Sequence, residues 1–342
     1  MATKKITPTK KVTHPTKKVG YSTKKLSNKE IMTKAFSDTK LWGADKVSEY
    51  LDSNGMKIIT KRDKKSTGTK EVKLHTGTKK VPVSKYAIEV NDITVSAKKS
   101  IFTKRVNLIS NVSFNVPIGN VTVFIGHNGA GKTTTTKAIL DFVKLDTGSI
   151  KIFGVDHKNH NSRKDIGYIP EKNDIKNITV NEFFHQIGAF YDLNTKQTNE
   201  RVLDLIKFFD FSKSNLKKRI NKLSSGEKKI INFIQAFFVQ HSLILMDEPT
   251  DNLDPQTRDL FWEFIEHYRK QHPQTSFLIV THNLDEIQKY ADYLIFMNKG
   301  IIKQTMKYDG HEGLRHLYKN LRDKWNSKVD KDSSQVSSKK VV

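Results

Sequence analysis

The chain has 342 residues, of which 36% are hydrophobic, and a formal net charge of +24 at pH 7. This length supplies one large domain or two medium ones with a real core, and no run approaches the roughly 18 consecutive apolar residues that a membrane-spanning helix needs. The absence of cysteine excludes disulfides, thiolate zinc sites and cysteine nucleophiles.

The first quarter of the chain differs from the rest in charge. Residues 1–85 contain 22 Lys or Arg against 7 Asp or Glu, a net charge of +15. Because dense like charge with few apolar residues buries too little surface to offset chain entropy, we predict that this basic extension is mostly disordered. Within it, residues 29–60 predict a small helical module, since Leu41 and Leu51 belong to an apolar series near helical spacing. No apolar segment follows the first lysines, so we predict no secretory signal and a cytoplasmic location.

From Tyr86 the pattern becomes that of a globular domain. Two runs, 86–95 and 106–116, predict strands of an antiparallel lobe. The apolar run at 120–125 predicts a buried strand that leads into a glycine-rich turn, and a helix is expected from about Lys132.

Later strands and helices alternate. Strands are predicted at 243–247, 277–281 and 293–297, separated by helical sequence, which favours a parallel α/β core with an attached antiparallel β lobe. Residues 172–222 show charged, helix-periodic sequence without a strand signal, so an inserted helical subdomain is predicted there. Residues 308–342 predict an amphipathic C-terminal helix followed by a polar tail.

The glycine-rich turn matches a phosphate-binding pattern, Gly-x-x-x-x-Gly-Lys-[Ser/Thr], between a strand and a helix. Glycines let backbone amides turn toward phosphates, the helix N-terminus adds partial positive charge, and Lys132 neutralises the β and γ oxygens. Thr133 would supply a hydroxyl to Mg²⁺. The turn therefore predicts ATP and Mg²⁺ as cofactors, the alternative being a chance glycine turn before an ordinary helix. The predicted ATP-binding residues are Gly126, His127, Asn128, Gly129, Ala130, Gly131, Lys132, Thr133 and Thr134.

Two acids follow the apolar run at 243–246. Asp247 is predicted to hold Mg²⁺, directly or through water. Glu248 is predicted to orient and deprotonate the attacking water, a step that phosphoryl transfer to another substrate does not need. Acids at a strand end can also simply cap the next helix, but together with the phosphate-binding turn they favour the catalytic interpretation.

The segment between these two motifs, LSSGEKK at 223–229, resembles the LSGGQ signature of ATP-binding-cassette (ABC) proteins. Further landmarks follow in the order of that family, and the resemblance extends over about 86–307. They are GYIPE at 167–171 in the Q-loop position, PTDNLDP at 249–255 similar to the D-loop, and VTHN at 280–283 similar to the switch motif. The resemblance implies a P-loop ATPase domain.

In the ABC family two cassettes dimerise head to tail, with each ATP between the phosphate-binding turn of one and the signature of the other. The resemblance therefore implies a second cassette as partner, a copy of this chain or a close relative. It implies that Ser224 and the amide of Gly226 touch a γ-phosphate bound to the opposite subunit. His282, in the switch-like motif, is expected to contact the γ-phosphate and to join Glu248 and Lys132 as a catalytic residue.

Some positions depart from the family pattern. Ser225 replaces a usual glycine, and Glu227 replaces a glutamine, which puts an acid near the predicted phosphates. Glu171 occupies the glutamine position of the Q-loop, where a carboxylate can still ligate the metal. Phe102, which lies 24 positions before Gly126, is the predicted adenine-stacking residue because stacking needs a flat apolar ring; a core or rim phenylalanine is the alternative.

The segment 177–193 resembles cassettes of export-type transporters, which implies a separate membrane-spanning partner and a peripheral position on the inner face of the cell membrane. Its phenylalanines Phe183, Phe184 and Phe190 fit either a subdomain core or a docking face. A second function class is a soluble ABC ATPase that acts on the ribosome or nucleic acid through residues 1–85. That extension lacks interleaved aromatics for base stacking, and anionic lipid attracts polybasic segments equally well. Transport is favoured.

Overall fold

The computed structural model describes residues 84–98, 105–172 and 177–325. All but the last two residues of the basic extension, including its predicted helical module, lie outside the described residues. So do Phe102 and the chain after residue 325.

Strands and helices alternate along the described ranges. The strands are β1 (Tyr86–Ala97), β2 (Val106–Pro117), β3 (Val121–Ile125), β4 (Thr147–Ile152), β5 (Val155–Asp156), β6 (Ile166–Ile169), β7 (Leu243–Asp247), β8 (Ser276–Val280), β9 (Tyr293–Asn298) and β10 (Ile301–Lys307). The helices are α1 (Lys132–Ile139), α2 (His160–Arg163), α3 (Val180–Phe190), α4 (Thr195–Phe208), α5 (Ser225–Ala236), α6 (Pro255–Gln271), α7 (Leu284–Ile287) and α8 (314–325), with 3₁₀ turns at Lys213–Lys217 and Ile220–Lys222.

Two sheets form the framework of the described fold. One has six strands in the order β10-β9-β3-β8-β7-β6, parallel except for the antiparallel edge strand β10, and the other is antiparallel in the order β2-β1-β4-β5. Every residue of β3, β7 and β8 is buried, as expected for central strands covered on both faces. The predicted fold class, a parallel α/β core with an antiparallel lobe, is confirmed.

Alternate residues of β3 face two hydrophobic cores. Val121 and Val123 pack with the core that includes Phe233 and Phe264 from the helices α5 and α6. Phe124, which points to the other face of the sheet, packs with the core of the antiparallel sheet and α1. The period of two along a strand therefore explains how one short segment joins both halves of the fold.

The strands missing from the prediction are short or polar. The edge strand β10 alternates between exposed and half-buried residues, and β5 has only two residues, so neither shows the apolar run that signals a buried strand. Between β8 and β9 the expected helical stretch is also short, since α7 spans four residues.

Helices α3 and α4 and two 3₁₀ turns occupy the part of 172–222 that the structure describes. The buried Arg201 on α4 donates hydrogen bonds of 3.0 Å to the carbonyls of Phe237 and Phe238, at the C-terminus of α5, where a cation is favourable. These two hydrogen bonds hold α4 against the C-terminal end of α5. The boundaries predicted for the subdomain, at 172–222, and for the C-terminal segment, at 308, stay predictions.

The three phenylalanines of α3 have different environments. Phe184 is fully buried and belongs to the core, and Phe183 packs against that core. Phe190 is 62% exposed. Phe184 and Phe183 therefore fit the core interpretation, whereas a docking role for Phe190 stays a prediction. Within the described residues no helix combines the length and the apolar character needed to cross a bilayer.

Candidate nucleotide site

The glycine-rich turn joins β3 to α1, and α1 begins at Lys132 as expected. Gly129 and Gly131 have φ of +79° and +109°, a backbone region that favours glycine. A Cβ on Gly126 would lie 2.4 Å from the Met297 carbonyl oxygen, so the turn has no room for a side chain there. The N-cap Gly131 makes no side-chain capping hydrogen bond, which leaves the first amides of α1 for an anion.

A cavity of about 480 Å³ lies over this turn, a size that suits a small ligand. It brings together residues that are far apart in the chain: part of the glycine-rich turn, the two predicted acids and the switch-like histidine. The lining residues are Leu108, Asn128, Gly129, Gly131, Lys132, Thr133, Thr134, Glu171, Asp247, Glu248, Asp251 and His282. Four carboxylates thus face the same cavity as Lys132.

Lys132 is buried at the floor of the cavity. Its ammonium donates to the carbonyl oxygens of Gly126 at 2.7 Å and His127 at 3.2 Å. Burial lowers the pKa of Lys132, and the nearby Glu248 and Asp247 carboxylates oppose that shift. An ammonium has three donors, so one remains beyond the two that these carbonyls accept.

Asp247 ends β7, where it is 1% exposed. Its two carboxylate oxygens find no hydrogen-bond donor among the described residues. Burial raises the pKa of Asp247 to about 6, although the neighbouring Thr133 side chain opposes the shift. Buried carboxylate oxygens without donors, with the Thr133 hydroxyl and the Glu171 carboxylate at the same cavity, form an oxygen donor set that fits a hard divalent cation.

Glu248 and His282 are in direct contact. The His282 Nδ1 lies 2.9 Å from the Glu248 Oε2, and the His282 backbone N–H donates to the same oxygen at 3.2 Å. The hydrogen bond with Glu248 raises the pKa of His282. Glu248 itself has φ +45°, a left-handed conformation that costs about 1–2 kcal/mol for a residue with a Cβ.

Two lining residues were not predicted. Asp251 approaches Glu248 and His282, with one ligand atom of each within 4.8 Å of the others, and Leu108 adds an apolar wall that is 44% exposed. The only sequence signal for Asp251 was its place in the D-loop-like segment. Nothing local distinguished Leu108 from its neighbours on β2.

The signature-like segment lies outside the lining of this cavity. Ser224 is the N-cap of α5, where its Oγ accepts the Glu227 N–H at 3.1 Å and the Glu227 carboxylate accepts the Ser224 N–H at 2.8 Å. Asn215 donates to the same carboxylate at 2.6 Å. These hydrogen bonds, foremost that of the Ser224 backbone, lower the pKa of Glu227. Glu227 therefore caps its helix, and the roles of Ser224 and Gly226 toward a second subunit stay predictions.

Comparisons with known proteins give the family. Residues 109–251 match the ABC transporter family model. These residues therefore form part of an ABC transporter ATP-binding domain. A putative ABC transporter ATP-binding protein of Mycoplasma pneumoniae is 33% identical over 59% of this chain, which spans 61% of that relative's length.

Two further relatives carry transport names of opposite direction. The Nod factor export ATP-binding protein I of Rhizobium sp. is 29% identical, over 64% of this chain and 70% of its own. The zinc uptake system ATP-binding protein ZurA of Listeria monocytogenes is 28% identical, over 68% of this chain and 90% of its own length. A solved structure of an ATP-binding subunit of an ABC transporter is 25% identical, with a TM-score of 0.61 over 69% of this chain and 99% of that one. Nearly the whole of that solved subunit therefore has a structural counterpart in this chain.

Proposed function

We propose that this chain is the ATP-binding and ATP-hydrolysing subunit of an ABC transporter. The observation that supports this most is the single cavity that holds Lys132, Asp247, Glu248 and His282 at the open N-terminus of α1. Each of these groups has a task in attack of water on a γ-phosphate.

In this proposal the amides of α1 and the Lys132 ammonium stabilise the phosphate oxygens. Glu248 accepts the proton of the attacking water. His282 holds the Glu248 carboxylate through the 2.9 Å contact and presents its other ring nitrogen for the γ-phosphate. Mg²⁺, which neutralises charge on the phosphates when bound, would be held by Thr133 and Asp247, with Glu171 beside them.

A second cassette completes the site in this proposal. The N-terminus of α5, with Ser224 and Gly226, does not line its own subunit's cavity. Ser224 is exposed, and its hydroxyl uses an acceptor position for Glu227 while keeping its own proton to donate. We therefore place it against the γ-phosphate of a partner, which is a copy of this chain or a close relative.

In this proposal the free energy of ATP binding and hydrolysis drives a conformational change in a separate membrane-spanning subunit. An apolar groove of about 300 Å³ between β6 and α3 is lined by Tyr168, Phe183 and Phe190, and the nearby Phe142 is 64% exposed. Such a rimmed apolar surface suits a protein contact. We propose that it receives the membrane partner at the inner face of the cell membrane, in the direction of export, as the Rhizobium relative is named.

The test uses the full-length chain with Mg-ATP. The proposal expects turnover that Glu248→Gln abolishes, and a dimer with bound ATP in that variant. It also expects copurification with a multi-span membrane protein; transport into or out of vesicles holding both proteins then gives the direction. Absence of ATP turnover, with or without the membrane protein, would contradict the proposal. Salt-sensitive ribosome or nucleic-acid binding, with no membrane association, would contradict its transport part.

A further inference from the structure

Lys229 is a buried lysine on the signature-like helix α5. Its side chain is 5% exposed, and its ammonium donates to the carbonyl oxygens of Pro170 at 3.2 Å, Glu171 at 3.2 Å and Glu248 at 2.8 Å. An ammonium has three N–H donors, so each donor has one carbonyl. The three carbonyls come from two segments, the end of β6 and the turn after β7, which only the fold brings together.

The shortest of these bonds stabilises the strained turn at Glu248. Glu248 has the left-handed φ of +45°, and contacts with four residues hold it there. Its N–H donates to the Val280 carbonyl at 2.8 Å, and its carboxylate contacts His282. Its carbonyl accepts from Lys229 at 2.8 Å and from the Asp251 N–H at 3.4 Å. Without the ammonium the Glu248 carbonyl keeps only the longer hydrogen bond from the Asp251 N–H, and the loss of the shorter bond to a charged donor is costly at a buried carbonyl.

The charges around Lys229 also favour a cation at this place. Burial lowers the pKa of Lys229, and the carboxylates of Asp251, Asp247, Glu171 and Glu248 oppose that shift. All four carboxylates face the nucleotide cavity, whereas Lys229 does not line it. A cation on the protein side of the cavity wall reduces the repulsion among these acids and occupies no space needed by the ligand.

We propose that Lys229 is a positioning residue for ATP hydrolysis, a hydrogen-bonded link that joins α5, the Q-loop-like segment and the turn at Glu248 into one unit. This inference rests on the proposed function. Since α5 begins at the signature-like segment, a displacement of Ser224 by a second cassette would reach the Glu248 carboxylate through Lys229. The residue acts through the backbone of its neighbours and touches no reacting atom.

The first test is Lys229→Met, which keeps a long side chain and removes the charge and the donors. We expect kcat to fall on the order of 100-fold, as for other displacements of a catalytic group by about 1 Å. We expect the KM for ATP and the affinity for a fluorescent ATP analogue to change less than about threefold, because Lys132 and the glycine-rich turn are untouched. Lys222→Met, at an exposed lysine on a nearby 3₁₀ turn, is the matched control and should keep full turnover.

Rescue by chemistry separates the ammonium from packing. The chain has no cysteine, so Lys229→Cys offers a unique thiol. Alkylation of the unfolded variant with 2-bromoethylamine restores an ammonium at lysine length, whereas iodoacetamide adds a neutral group. After refolding, with the unmodified chain taken through the same cycle, the aminoethylated protein should recover at least about one third of kcat and the neutral adduct should not.

The outcomes distinguish this inference from the proposed function. If the unmodified chain does not hydrolyse ATP, the proposed function fails. If it hydrolyses ATP and Lys229→Met matches it, or the neutral adduct recovers as well as the aminoethylated one, the role of Lys229 is wrong. Equal losses in kcat and nucleotide affinity would also overturn it. Failure of every neutral variant to fold, judged by thermal unfolding, would overturn it in favour of a purely structural role.

Discussion

Two helices begin at predicted phosphate-binding motifs, and their N-termini are built differently. At α1 the N-cap is Gly131, which makes no side-chain capping bond. At α5 the N-cap Ser224 and Glu227 form a capping box, so the amide of Glu227 and that of Ser224 are satisfied within the chain. An uncapped N-terminus gains most from an anion, whereas a capped one is stable alone. The difference suits a pocket in which α1 binds its own nucleotide and α5 meets one only when a partner brings it.

The largest expected effect concerns Glu248, the proposed general base near the uncapped N-terminus of α1. Glu248→Gln should lower kcat by about 100- to 10,000-fold, the range of general-base contributions, because an amide cannot accept the proton of water. Nucleotide affinity should persist and a dimer should accumulate with ATP, as measured by light scattering. Turnover equal to that of the unmodified chain would show that Glu248 is not the base.

The next largest effect concerns Asp247, the buried acid at the end of β7. Burial raises the pKa of Asp247 from its ordinary value of 3.8 to about 6. Between these two values of pH, the folded state holds a proton that the unfolded state has lost. The free energy of unfolding due to this group therefore falls as pH rises from about 4 to about 6, and stays low above that. Without metal and nucleotide, Asp247→Asn should be more stable than the unmodified chain at pH 8, by up to about 3 kcal/mol.

Urea unfolding at several pH values measures this difference. Asp165→Asn is the matched comparison, because burial raises the pKa of Asp165 to about 6 as well, away from the nucleotide cavity. Added Mg²⁺ should stabilise the unmodified chain and the Asp165 variant more than the Asp247 variant. A constant stability gap across pH 4–6 would contradict the assigned cause.

Lys132→Ala tests whether Lys132 binds the phosphates of the nucleotide. Loss of a charged donor to the phosphates should weaken nucleotide binding by about 10- to 150-fold, as measured by titration with a fluorescent ATP analogue. Lys137→Ala, at an exposed position of the same helix, should leave the affinity unchanged. Equal affinity in the two variants would remove the phosphate role from Lys132.

The smallest effect concerns the cap of α5. Ser224→Ala should lower the free energy of unfolding by about 1 kcal/mol, because it removes an N-cap, whereas Ser225→Ala at the next position should be nearly neutral. Chemical denaturation of the monomer measures both. A monomer as stable as the unmodified chain would mean that the capping box contributes nothing, and the contrast between the two N-termini would lose its energetic basis.

Much of the fold and of the candidate site could be predicted because their signals are local. The run before Asp247 and the turn before Lys132 are contiguous segments with a strand–turn–helix context, and α1 begins where that pattern requires. Strands such as β10 gave no signal, because an exposed edge strand has no continuous apolar run. Phe102 lies outside the described residues, so its stacking role stays a prediction.

The sequence by itself determined the phosphate-binding turn, the two acids at the end of β7 and the resemblance to the ABC family, since each is written in consecutive residues. Only the tertiary structure decided that Asp251 faces the cavity and that Lys229 reaches the carbonyls of Glu171 and Glu248. These contacts depend on parallel strands placing their carboxyl ends at one edge of a sheet beside a helix from elsewhere in the chain. Residues 58 and 19 positions apart meet there, and no local pattern encodes that distance.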